Sequence, residues 1–108
     1  MTADHPTARD AARRILSAVL ERGRPLDEAW AAALAPDAPL THLPERDRAF
    51  ARLLVATTLR RKGEIDAVLD RCLAKPLPPK ATRERTALRL GVAQLLHLAP
   101  QRRLGRQP

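Results

Sequence analysis

The sequence predicts an all-α fold, a bundle of about five helices. Three observations point there. Aromatic residues make up only 2% of a chain that is 44% hydrophobic, so a core must be assembled from Leu, Val and Ala, with Trp30 and Phe50 as its only rings. Leu and Ala favour helix, whereas strands draw on β-branched and aromatic side chains. Apolar positions recur every three or four residues in five segments, and no segment shows the period of two that marks a half-buried strand. The prolines fall between these segments, where a missing amide donor costs no helical hydrogen bond.

Thr7 can cap a first helix over about residues 8–22, whose Ala8, Ala12, Ile15, Leu16, Val19 and Leu20 form one apolar stripe and whose end is marked by Gly23. A short second helix follows "RGRP" at about 27–35, carrying Ala29, Trp30, Ala33 and Leu34. The "APDAPLTHL" segment reads as a loop, because two closely spaced prolines disfavour helix at the residues before them. Pro44 suits the first turn of a third helix, with Glu45 and Asp47 against the positive end of its dipole. That helix runs to about Lys62 and is apolar over much of its circumference: Phe50, Leu53, Leu54 and Thr57 share one face, while Val55 and Leu59 point elsewhere. Gly63 is expected to break the run. "EIDAVLDRCL" then forms a fourth helix burying Ile65, Val68, Leu69, Cys72 and Leu73. After the proline-rich "AKPLPPK", a fifth helix at about 82–98 has Thr82 as its cap and Leu88, Val92, Leu95 and Leu96 on its buried side.

At 108 residues the chain has room for one small domain and too little for a two-domain enzyme. The expected organisation is a disordered N-terminus at 1–6, a helical domain at 7–98 and a mobile basic tail at 99–108. Cys72 is the sole cysteine, so no internal disulfide can form, and it reads as a small core residue. The first residues, "MTADHPTARDAARR", carry no apolar signal region, and no uncharged run approaches the roughly 20 residues needed to span a bilayer, which makes the cytoplasm the expected location.

Chemistry-bearing constellations are sparse. His5, His42 and His97 have no spacing that suggests a metal site or a nucleophile and base, and no glycine-rich phosphate loop occurs, so neither catalytic residues nor cofactors are expected. Asp66 and Asp70 share a helical face four residues apart, yet Lys62 and Arg71 beside them point to ordinary ion pairs on a solvated surface.

Charge is the outstanding feature. The 20 basic residues, 17 of them Arg, outnumber 12 acidic ones for a net +8, which favours a polyanionic partner and suits the bidentate contacts that guanidinium makes with phosphate. A compositional bias that raises Arg, Ala and Pro together would produce the same excess. The cations gather at Arg9, Arg13 and Arg14 of the first helix, at Arg60, Arg61 and Lys62 closing the third, and at Arg71, Lys75 and Lys80 around the second linker. For the second group a structural role suffices, since cations at a helix C-terminus gain a few tenths to about 1 kcal/mol from the dipole. Without exposed aromatics to stack on bases, any RNA contact should rest on phosphates and shape.

Three blocks, "ARDAARRILSAVLERGRPLDEA", "DRAFARLLVATTLRRKGEIDAVLDRCLAKPL" and "LRLGVAQLLHL", resemble in order and spacing the NusB-like all-helical RNA-binding domain over about residues 7–98. "KPLPP" and "LRLGVAQLLHL" bring the likeness nearer to the version at the N-terminus of the RsmB (Sun/Fmu) family of rRNA cytosine-5 methyltransferases than to free-standing antitermination factors of the NusB type. The resemblance implies a non-catalytic domain that positions structured rRNA through arginine–phosphate contacts. Arg9 is the position best matched to the family's RNA-binding helix, and Arg13 and Arg14 extend from it. Two departures stand out. "APQRRLGRQP" resembles none of the helices with which the family continues, and the methyl-transferring domain, with its cofactor loop and cysteines, has no counterpart in these residues. A bundle lacking its last helices would uncover an apolar groove along the third and fifth, so the competing expectations are a NusB-type transcription antitermination factor, a protein-interaction module or homodimer, and an inactive fragment.

Overall fold

The computed structural model describes residues 7–98 and contains, among them, five α-helices and one π-helical turn with no strand: α1 (Ala8–Leu20), α2 (Leu26–Ala33), α3 (Glu45–Arg60), α4 (Lys62–Cys72), α5 (Thr82–Ala93) and the π turn Gln94–Leu98. The disorder expected at 1–6 and the mobile tail expected at 99–108 lie outside the described residues. The described residues divide into two compact units between Val55 and Ala56, a boundary inside α3 and not at either proline-rich linker.

In the first unit α1 opens with a capping box. The Thr7 hydroxyl accepts the Asp10 amide at 3.0 Å, and the Asp10 carboxylate accepts the Thr7 amide at 3.5 Å, so two otherwise orphaned donors are satisfied. The helix buries Ala11, Ala12, Ile15, Leu16 and Ala18, and it packs against α2, which buries Ala29 and Ala33. Gly23 ends the α1 segment in the left-handed region at φ 71°, and the Arg24 amide turns back to the Ala18 carbonyl at 3.0 Å. Asp37 also adopts a left-handed conformation, one its short polar side chain tolerates, in the loop that follows α2. That loop contributes to the core: Leu40 and Leu43 are buried, and the Arg48 side chain donates to the carbonyls of Leu43 and Thr41 at 3.1 and 3.4 Å.

Several sequence expectations are corrected here. Helix α3 buries Ala51, Leu54, Val55, Thr57 and Thr58, whereas Leu53 is exposed and Phe50 only half-buried, so the inward face is rotated from the one expected. Trp30 is likewise half-buried, with the Arg52 guanidinium carbon 5.0 Å from its ring centroid. The two rings therefore lie at the edge of the core. The break between α3 and α4 falls at Arg61, whose φ of −105° and ψ of 20° lie in the bridge region open to any residue. Gly63 sits in the first turn of α4 with open space around it and is not the breaker.

In the second unit α4 buries Ile65 and Leu69, which cluster with Ala93 and the half-buried Val92 of α5. Cys72 is exposed, not a core residue: it shares the helical face of Ile65 and Leu69 but stands at the last position of α4, past the buried part of that face. Ala81, not Thr82, occupies the N-cap of α5, without a side-chain cap. The buried face of α5 is Thr86, Leu90 and Ala93; Leu88, Leu95 and Leu96 are exposed, Leu95 by 71%. The π turn explains part of this. Its i to i+5 bonding carries the buried line from Ala93 to Leu98 and leaves the two leucines between them outside.

Candidate nucleic-acid interface

The arginines of the first unit are distributed by the 3.6-residue helical repeat. Arg9 and Arg14 project as exposed side chains from α1, and Arg13 is half-buried beside the apolar stripe. Arg13 and Arg14 make no hydrogen bond or ion pair with any described residue. Arg14 also meets two cations that sequence reasoning passed over. Gly23 turns the chain so that Arg22 and Arg24 come round beside Arg14 on one concavity of about 150 Å³. Its floor is apolar, formed by Ile15 and Ala18 of α1, Ala29, Ala32 and Ala33 of α2, and Pro39. Neither Arg22 nor Arg24 has an ionic or hydrogen-bonded side-chain partner among the described residues. The signal available in the sequence was "RGR": two cations flanking a residue able to take positive φ.

The cations of the second unit are organised differently. Asp66, on α4, is the hub. Arg89 of α5 grips its carboxylate with two bonds, Nε to Oδ1 at 2.7 Å and Nη2 to Oδ2 at 3.1 Å. Lys62 donates to Oδ2 at 3.1 Å, and Arg85 lies 3.9 Å from both Asp66 and Asp70. Burial pushes the Asp66 carboxyl up, but the hydrogen bonds and charges of Arg89 and Lys62 outweigh it and hold the group below the ordinary carboxylate range. Glu64 stands between Arg61 at 3.9 Å and His97 Nε2 at 3.4 Å. Of the expected Arg60, Arg61 and Lys62 cluster, two members are thus engaged with acids, and only Arg60 extends from the end of α3 without a partner among the described residues.

Of the three groups of cations named from sequence, Arg9, Arg13 and Arg14 fall in the first unit, and Arg60, Arg61 and Lys62 fall with Arg71, Lys75 and Lys80 in the second. Among the described residues no group of His, Cys, Asp and Glu is arranged to hold a metal ion, and no helix is long and apolar enough to cross a membrane. The arrangement of arginines supplies fixed positive charge, which can hold anions.

Comparison with known proteins agrees with the three-block resemblance. The sequence pattern of the NusB family matches residues 6–102. Ribosomal RNA small subunit methyltransferase B of Xanthomonas campestris pv. campestris is 40% identical over 88 residues, which is 82% of this chain and 19% of that protein. Its counterpart in Xylella fastidiosa is 38% identical over 84 residues, 78% of this chain and 18% of that protein. The chain thus spans about a fifth of the length of these curated relatives, and the remaining four-fifths, catalytic domain included, have no counterpart in the 108 residues. No solved structure matches it.

Proposed function

The chain belongs to the NusB family, and from that premise we propose that it is a non-catalytic RNA-binding domain, equivalent to the N-terminal part of a small-subunit rRNA methyltransferase, that positions structured rRNA in the cytoplasm through arginine–phosphate contacts. The observation that carries the reading is the state of the cations on the first unit: among the described residues no acid pairs with Arg13 or Arg14 of α1, in a chain of net charge +8. Unpaired guanidinium groups on a rigid helix can take phosphate oxygens in bidentate fashion without first giving up an internal partner. Arg9, one turn before Arg13, belongs to the same face, and Arg60 is the member of the second cluster best able to add a contact.

The relatives act on ribosomal RNA by name, and the same class of substrate is the one assigned to this chain. Its role is to hold and orient; the methyl transfer belongs to sequence outside these residues. The test is the salt dependence of binding to a structured rRNA hairpin. Counterion release requires log K to fall linearly with log salt, by roughly 0.7–0.9 for each phosphate contact. Three to four contacts give a slope of about −2 to −4, and Arg13→Ala with Arg14→Ala should flatten it. Binding that ignores salt would sink the electrostatic mechanism.

A second reading, a protein-interaction module, is favoured by the exposed Leu88, Leu95 and Leu96 on α5 and the π turn. Concentration-dependent sedimentation of the chain alone would support self-association through that surface, and a concentration-independent monomer would speak for the RNA binder.

A further inference from the structure

We propose that the concavity rimmed by Arg14, Arg22 and Arg24 is a phosphate-binding site that receives the backbone of the RNA at the C-terminal end of α1. The inference rests on the RNA-binding reading and extends it to two residues that the family resemblance does not assign. Three features carry it. Arg14, Arg22 and Arg24 all line one recess, and none has an ionic or hydrogen-bonded side-chain partner among the described residues. The acids nearest in sequence are held away: Glu21 accepts from the Ser17 hydroxyl at 2.9 Å, and neither Asp27, Glu28 nor Asp37 lines the recess. The recess is also of a definite size. At about 150 Å³ it lies below the roughly 300–1,000 Å³ of sites for whole cofactors, so it fits one phosphate group with part of its sugar.

One term opposes an anion here, the negative end of the α1 dipole. That end carries roughly half a charge, against three full positive charges on the rim. It is further reduced because the amides of Glu21 and Arg24 already bond the carbonyls of Ser17 and Ala18. The rim wins. The apolar floor adds discrimination: Ala18, Ala29, Ala32 and Ala33 offer no hydrogen bond to a base edge, so the site reads backbone and ribose and is indifferent to sequence.

The experiment measures binding of the 108-residue chain to a structured rRNA hairpin across a salt series, for the parent, for Arg22→Ala/Arg24→Ala and for Arg9→Ala/Arg13→Ala outside the recess. In parallel, inorganic phosphate is titrated into the parent and followed by amide NMR at Ala18, Gly23 and Ala32. The expected result is a loss of roughly 10- to 100-fold in RNA affinity for Arg22→Ala/Arg24→Ala, since each lost charge-assisted bond weakens binding by about tenfold or somewhat less. The salt slope should shrink by about 1.4–1.8 as two phosphate contacts disappear. A parent that binds RNA while Arg22→Ala/Arg24→Ala keeps its affinity and slope overturns the phosphate site and leaves the RNA reading standing. A parent that binds no RNA but shows phosphate-dependent shifts at Gly23 keeps the anion site, with free phosphate as its ligand, and removes the RNA reading. Neither response removes both. Should the double variant melt earlier than the parent, shifts at Ala18, Gly23 and Ala32 on adding the hairpin to the parent decide the matter, and their absence overturns the site.

Discussion

Arg14, Arg22 and Arg24 in the first unit and Lys62, Arg85 and Arg89 in the second carry the same charge, yet they stand in opposite electrostatic states. The second trio converges on Asp66, with the Arg89 fork at 2.7 and 3.1 Å and Lys62 at 3.1 Å. The first trio converges on an alanine-floored recess with no acid in its lining. A guanidinium locked onto a carboxylate has already committed its directional bonds, and an incoming phosphate must compete with a partner held beside it by the fold. An unpaired one offers its full fork. The difference teaches that the count of arginines says little about where an RNA would bind; the placement of a few acids decides it.

The largest test of this contrast removes the hub. Asp66→Asn should destabilise the chain by about 2–3 kcal/mol, because Arg89, with a side chain only 12% exposed, is left without its counter-charge. Chemical denaturation measures that loss. The same variant frees Lys62, Arg85 and Arg89, so its affinity for a structured rRNA hairpin should rise severalfold with a steeper salt dependence. An unchanged affinity would mean that acid pairing is not what separates the two units. Acid titration comes next. The Asp66 carboxyl is held below its ordinary value, so its contribution is present in full above the unfolded carboxylate pKa of about 3.9 and is lost as pH falls through the lowered folded value. Thermal melts of the parent should therefore drop in that acid window by more than those of Asp66→Asn. A smaller effect, about 1 kcal/mol, is expected for Thr7→Ala, which removes the cap of α1 and thereby loosens the helix that carries Arg9, Arg13 and Arg14. The least effect should come from Arg61→Ala. Its pairing with Glu64 spans 3.9 Å between side chains that are each more than half exposed, and such a pair contributes below about 0.5 kcal/mol. A larger loss there would show that the basic junction of α3 and α4 matters to the fold beyond its ordinary surface chemistry.

The cap at Thr7, the stop at Gly23, the two proline-rich connections and the inward set Ile15, Leu16, Ile65 and Leu69 were all legible, because each depends on residues within about one helical turn of one another. Legibility failed wherever the deciding partner was distant or the helical repeat changed. Leu40 and Leu43 are buried in a loop that has no periodicity to announce them. Leu95 and Leu96 were placed on the core side by extending a 3.6-residue repeat through a segment that turns with i to i+5 bonds. Asp66 was seen beside Lys62, four residues away, and not beside Arg89, 23 residues away.

By itself, then, the sequence determined the all-α class, the number and approximate bounds of the helices, the NusB kinship and the excess of positive charge, all of which follow from local spacing and composition. Only the tertiary structure decided which cations are consumed by Asp66 and which are left open around the recess beside Gly23. The physical reason is range. Helix propensity, capping and apolar periodicity act within a few residues, while the pairing of charges depends on which faces two helices present to each other, and no short window of sequence records that.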